Sequence, residues 1–552
     1  MKPPQLHQLT IRRLHQSLSE RIFAIPKLQR EFIWDGRKAA ALLDSISKGM
    51  PIGIFLIWQT KSQNYDLLRQ SLNILPSFNT ENHFVWFMID GQQRLSVLYQ
   101  AFIGDQMENS NGQIVDFGKI CYIINPDPEE EDPQHFTYRK PISREYLPVR
   151  DILASNWKWR FKGYPQHLLK RIRNCRERLL KYRVPLVIIH SNDLEEIREV
   201  FIRINSQGMK ISTADRAFAK ASKVDLRELA HVLRAGINPK FHDIDFNIIL
   251  QGFAFTTRER EVDVGQRSLE ATIKWWEKEI DNNGKQSAFY KHWNQYRTAF
   301  GQAVDYLHMN FNVLHSSFLP SVNMLATLSV FFYYHPAAPD TKRRKEIRKW
   351  FWATSVGVRY SGRGYRQNLI EDVRFFERLA KTSHTRFTFS DRMDPADVSR
   401  AEYIQRSALT NAFFCLLACQ QPRYLANGQQ IPLTVFASQA NRSDRHHIFP
   451  KQMLANYGFT HRDFNSLCNI CFIVSRENQE FGMKRPDSYL KEYSKKRHFA
   501  RTMRSHLIPY KDESGLWTRD VRKAYVIFLR RRLIEICRAF EKQAGIKLFR
   551  KI

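Results

Sequence analysis

Apolar positions along this chain follow two patterns, short continuous runs and spacings of three and four. Continuous runs at 54–58, 84–89 and 184–189 predict buried strands. Before the first of them, Ala39, Leu42, Leu43 and Ile46 recur at helical spacing. Asp35 is placed to cap that helix, Gly49 to end it, and Pro51 to stop its continuation. The run at 84–89 ends on Asp90, and Gly91 makes a turn. Gln92, Gln93 and Arg94 then open a helix whose inward residues include Leu95, Leu98 and Phe102. A basic stretch at 157–181 predicts helices, and 194–201 a short one. Gly208 permits a tight turn, and Ser212 with Asp215 forms a capping box. Beyond it the pattern is helical. Helices are expected at 269–280, 322–334 and 404–418, with a basic amphipathic helix around Trp350, Phe351 and Trp352, aromatics expected in the core. The last segment, "TRDVRKAYVIFLRRRLIEICRAFEKQ", pairs helical apolar spacing with a basic opposite face. The fold class expected is α+β, predominantly helical, in three domains: 1–220, a helical middle region at 221–397, and 398–552.

Charge changes the picture. Across 552 residues, 86 Lys and Arg face 55 Asp and Glu, a formal net charge of +31. That surplus predicts work near a polyanion, although charge alone does not separate nucleic acid from an acidic membrane. The N-terminal "MKPPQLHQLTIRRLHQ" lacks a signal-peptide core, and no uncharged apolar run is long enough to span a bilayer. A cytoplasmic protein without a membrane partner is expected. The seven cysteines are sparse and odd in number, which argues against a disulfide framework. Cys468 and Cys471 look like half a zinc knuckle, but a second close pair is missing, so reduced thiols in a packed strand are expected.

Polar groups collect where strands give way to helices in the N-terminal third. Gln29 and Arg30 follow Pro26, and core packing does not explain them; the planar fork of Arg30 suits a phosphate. Asp90, Gln92, Gln93 and Arg94 sit at a strand end and a helix start, where an anion is welcome. The competing structural reading is a capped corner held by an Asp90–Arg94 pair. The capping box accounts for Ser212 and Asp215 but leaves Arg203 and Asn205 without a role.

Four segments, "IPKLQREFIW", "SISKGMPIG", "IDGQQRL" and "FIRINSQGMKIS", run in that order over 23–220. Together they resemble the N-terminal, ParB-like domain of modification-dependent restriction and phage-defence proteins of the GmrSD type. The resemblance implies a nucleoside triphosphate, GTP or ATP, held by Gln29, Arg30, Asp90, Gln92, Gln93, Arg94 and Asn205. Its hydrolysis, or sensing of a DNA modification, would control cleavage. A Walker-type lysine loop is absent, so triphosphate binding rests on the resemblance alone.

"RSDRHHIFPK" (442–451) and "NSLCNICFIVSRENQEFG" (465–482) carry the second group of polar residues. The pattern reads as strand or hairpin, loop, strand, helix. A neutral imidazole there can take a proton from water, and a divalent metal can polarise a phosphate. The plainer reading is a pair of surface or capping histidines beside a Pro turn. The ordered series His446, His447, Pro450, Asn469 and Asn478 resembles the HNH, or His-Me finger, nucleases, whose fold is a ββα-metal unit. The resemblance implies His446 as first metal ligand, His447 as general base, Asn469 as the orienting amide and Asn478 as last ligand. Many members carry Asp at the first position, and Asp444 lies two residues earlier, so the choice between Asp444 and His446 stays open. The metal implied is Mg2+ or Mn2+. Arg359 and Arg363 of "RYSGRGYRQ", with Lys451, are the candidates for DNA phosphates.

The function expected is a metal-dependent endonuclease of anti-phage defence. It would cut or nick foreign or modified double-stranded DNA under an NTP-hydrolysing N-terminal domain, as a homo-oligomer or with other defence proteins. The alternative is an NTPase-linked DNA-binding sensor without cleavage.

Overall fold

A computed structural model of the chain describes all residues except 1–2, 27–31, 69–74, 110–113, 127–132, 142, 192, 208–212, 258–265, 284–285, 363, 390–391, 405–406, 435–445, 472–481, 483 and 552. The chain divides into two compact units, Met1–Val224 and Asp225–Ile552. Among the described residues the fold is α+β with helix in the majority, and no helix is long and apolar enough to cross a membrane.

The first unit holds the strands β1 (Gln5–Thr10), β2 (Phe23–Ala24), β3 (Phe55–Lys61), β4 (Phe84–Asp90), β5 (Gln106–Glu108), β6 (Ile114–Asp116), β7 (Ile120–Ile123), β8 (Phe136–Tyr138), β9 (Tyr146–Pro148) and β10 (Arg183–Ile189). The main sheet runs β1-β10-β3-β4-β2. β10 is parallel to β3 and β2 to β4, while β1 with β10 and β3 with β4 are antiparallel. The runs at the centre are continuous because both faces are covered. Phe55 and Ile57 of β3 join one core, with Leu42, Leu43 and Ile46 of the Gly36–Ser47 helix. The alternate residues Leu56 and Trp58 join a second core with Ile197 and Phe201 of the Leu194–Gln207 helix. Asp35 caps the Gly36–Ser47 helix, accepting from the Lys38 N–H at 2.8 Å.

The second unit is built on the Asn323–Tyr334 helix, buried on all sides from Met324 to Phe332. Such a helix has no polar face because it has no solvent face. It packs against Gln286–Phe311, Tyr365–Lys381 and Phe246–Thr257. Trp350, Phe351 and Trp352 are buried in the core. The apolar helix expected from 404 starts later, at Ala408, because the Ser407 hydroxyl accepts from the Thr410 N–H and caps it there. The Val521–Ala544 helix packs on Thr341–Val356 and presents Tyr525 and Phe528 to a separate core around Ile448, Phe449 and Phe464.

Candidate functional site

His447 lies on a minimal ribbon. β11 (His446–His447) pairs antiparallel with β12 (Ile470–Cys471), His447 opposite Ile470. The Ile448 N–H donates to the Asn469 carbonyl at 2.9 Å and extends the pairing. Asn469, 0% exposed, then locks the turn that follows. Its Oδ1 accepts the Phe449 N–H at 2.9 Å, and its Nδ2 donates to the carbonyls of Phe449 and Phe464 at 3.1 and 3.0 Å. The Phe449 ring is held by Tyr525 and Phe528, with centroids at 5.2 and 5.1 Å. The Tyr489 hydroxyl donates to the Ile448 carbonyl at 2.6 Å. Arg532, 0% exposed, donates Nη1 to the Cys468 carbonyl at 2.8 Å and binds the carbonyls of His506 and Leu507 as well. A buried guanidinium is tolerable here because three carbonyls and the rings of Phe413 and Phe528 surround it.

The imidazole itself is held by a residue the sequence did not single out. His447 Nε2 donates to Asn465 Oδ1 at 3.0 Å, and Asn465 Nδ2 donates to the His461 ring, 2.9 Å from Nε2. In a neutral imidazole a proton on Nε2 leaves Nδ1 as the basic nitrogen. Asn469 acts on the backbone two residues beyond His447, whereas Asn465 touches the ring. His461 in turn faces Glu402, with Nδ1 3.8 Å from the carboxylate. Lys451 is exposed, its Nζ 5.4 Å from the centroid of Phe464.

Asp444 and Asn478 lie outside the described residues, as does the side chain of His446. Among the described residues no group of three or more His, Cys, Asp or Glu is placed to hold a metal ion. Cys468 and Cys471 are buried free thiols, and burial pushes Cys468 up to about 11.

The corner after β4 is tightly built. Gly91 has φ +100°, and a Cβ there would stand 2.9 Å from the Phe55 ring. Arg94 donates to the carbonyls of Ile52 and Ile54 at 2.5 and 3.1 Å, meets Asp90 at 3.4 Å and lies 5.0 Å over Phe55. It fastens the segment leading into β3 to the start of the helix. Gln93 Oε1 accepts the Ile33 N–H at 2.9 Å, which ties down the chain just beyond 27–31. Gln92 is 3% exposed, and its Nε2 has no hydrogen-bond partner among the described residues. Burial of such a donor costs about 1–3 kcal/mol, so Gln92 sits at the start of a helix with an unmet bond. Gln29 and Arg30 lie outside the described residues. Asn205 belongs to the Leu194–Gln207 helix, with its side chain outside them. Arg203 makes a surface pair with Glu199 at 2.8 Å.

Arg359, expected at DNA phosphates, is engaged inside the protein. Its Nη2 meets Glu371 at 2.7 Å and Asp372 at 3.3 Å. Arg363 lies outside the described residues.

Residues 11–221, less than half of the chain, match the family model of the GmrSD restriction endonuclease N-terminal domain. Over 531 residues the chain is 21% identical to an uncharacterized protein of Methanocaldococcus jannaschii, a match covering 85% of this chain and 84% of that protein.

Proposed function

We propose that the chain is a DNA endonuclease of anti-phage defence, its cutting controlled by nucleotide at the first unit. The observation that carries this reading is the His447 imidazole, placed on a two-stranded ribbon and fixed through Nε2 by Asn465. The match of residues 11–221 to a restriction endonuclease family and the charge of +31 support DNA as the substrate. His447 Nδ1 takes a proton from water. The resulting hydroxyl oxygen attacks phosphorus, and the bond to the leaving oxygen breaks. Asn465 holds the ring and its tautomer through this step, and Asn469 keeps the turn beneath it fixed. The imidazole, carboxylate and amide donors of His446, Asp444 and Asn478 suit a hard divalent cation. Magnesium or manganese held by His446 or Asp444 with Asn478 would neutralise charge on the phosphate.

At the first unit, the unmet Nε2 of Gln92 at the start of the Gln92–Ile103 helix supports an anionic ligand. In this reading GTP or ATP sits there with Gln29, Arg30 and Asp90, while Arg94 and Gln93 shape the corner from within. Titration of Gln92→Ala with GTP and ATP tests it; undiminished affinity removes Gln92 from the site.

The cutting test is single-turnover cleavage of supercoiled plasmid in magnesium or manganese. His447→Ala should lose about 100- to 10,000-fold in rate while binding DNA almost as tightly as the wild type. A folded His447→Ala protein that cuts at the wild-type rate ends the nuclease reading. A wild type that binds DNA and hydrolyses nucleotide but never cuts favours the sensor alternative. DNA carrying phosphorothioate, hydroxymethylcytosine or its glucosylated form, set against unmodified DNA, identifies any modification that is read.

A further inference from the structure

In the second unit, Arg359, the Tyr365–Lys381 helix and the segment after it line an open cavity of about 300 Å³. Four guanidinium groups line it, those of Arg359, Arg374, Arg378 and Arg386. Glu371, Arg374, Phe375 and Arg378 recur at three- and four-residue steps and so share one helix face. The opposite wall is held in place by Phe387. Its ring meets Phe375 at 5.2 Å, and its N–H donates to Glu346 Oε2 at 2.8 Å.

The charges on these walls do not cancel. Arg359 is matched by Glu371 and by Asp372, which is 1% exposed and also accepts from Tyr360 and Trp350. Glu346 meets Arg386 at 3.4 Å, but Lys349 already holds it at 2.8 Å. Five cations thus face three carboxylates. Arg374 and Arg378 are exposed, sit four residues apart, and have no ion pair among the described residues. Like charges at that spacing repel each other in the absence of an anion. Guanidinium groups converging on a recess match the oxygens of a phosphate.

We propose that this cavity binds a phosphate group, with Arg374 and Arg378 as its principal contacts and Arg386 as the third. Arg359 is a positioning residue whose own charge is satisfied by Glu371 and Asp372. The phosphate belongs either to a nucleic-acid strand or to a free nucleotide. The proposal does not depend on cutting, because binding is read here with all divalent metal removed.

The test uses the full-length protein in EDTA. The variants are Arg374→Gln/Arg378→Gln and a charge-matched control, Lys158→Gln/Lys162→Gln, with melting curves for each. The probes are inorganic phosphate, dCMP, and a short labelled oligonucleotide as single strand and as duplex. The double arginine variant should bind at least about tenfold more weakly, with its salt slope on duplex reduced by about 2, while the control changes little. A loss confined to phosphate and dCMP assigns a free nucleotide. A loss on the oligonucleotides assigns a strand. Wild-type binding by the folded arginine variant, an equal loss in the control, or a wild type that binds none of the probes overturns the proposal.

Discussion

Replacing Asn469 by Ala should destabilise the second unit far more than its size suggests. The side chain is completely buried and makes three bonds, all to backbone: one from the Phe449 N–H and two to the carbonyls of Phe449 and Phe464. Alanine leaves one N–H without its partner and removes a donor from each of two carbonyls. An orphaned buried group costs about 1–3 kcal/mol, and the carbonyls, with a second lone pair each, stand at the low end of that range. The sum is about 3–5 kcal/mol, a drop in melting temperature of several degrees in calorimetry. Asn469→Asp sharpens the test. It keeps an acceptor for Phe449 but sets a carboxylate oxygen against two carbonyls with no donor between them. The folded state then favours the protonated form, so the introduced carboxyl has its folded pKa raised above the unfolded value of about 3.9. Its deficit against the wild type is therefore largest at neutral pH and shrinks as pH falls toward 4. Plasmid cutting by either variant should follow its folded fraction. An Asn469→Ala protein that melts with the wild type, or an Asn469→Asp deficit that ignores pH, would refute this account of the turn.

Asn465→Ala should behave differently, losing more than about tenfold in single-turnover cutting at a stability cost near 1 kcal/mol, because its bond orients His447 rather than the backbone; wild-type cutting would remove it from the site. Arg94→Ala should cost about 2–4 kcal/mol in urea unfolding, since two carbonyls, Asp90 and the Phe55 ring all lose a cation; an unchanged midpoint would mean the corner holds without it. Gly91→Ala should cost about 1–3 kcal/mol from its φ of +100° and the Phe55 contact, read in the same assay. Burial pushes His292 and His506 down from 6.5 to about 4. Folded protein therefore binds fewer protons than unfolded chain between those values, and stability falls as pH drops through that window and levels off below it. Each contributes on the order of 3 kcal/mol, so wild-type melting should drop from pH 7 to pH 4 and the drop should shrink in a stable His292→Gln variant.

What was legible in the sequence was whatever depends on neighbours along the chain. The strand, Gly91 and the following helix could be read because periodicity and a glycine are local signals, and Asp35 because a cap acts three residues away. The division of labour between Asn465 and Asn469 was hidden. Both are amides in one short polar segment, and only the fold of the turn sends one to a ring and the other to a backbone. The ion pairs of Arg359 were hidden because its partners, Glu371 and Asp372, lie on the next helix. Arg532 gave no signal at all, since a basic residue on a basic helix carries no mark of being fully buried. That the Gln92 amide donor meets no partner among the described residues is likewise a property of packing.

The Arg532 contact also imposes an order in time. Cys468, whose carbonyl it grips, precedes it by 64 residues. Translation at about 5–20 residues per second brings the ribbon out of the ribosome seconds before the guanidinium that secures it. A nascent chain halted short of Arg532 carries His447, Asn465 and Asn469 but leaves the Cys468 carbonyl ungripped. The Val521–Ala544 helix is thus the latch of the candidate site, and a nascent chain that has not yet exposed Arg532 does not have it closed.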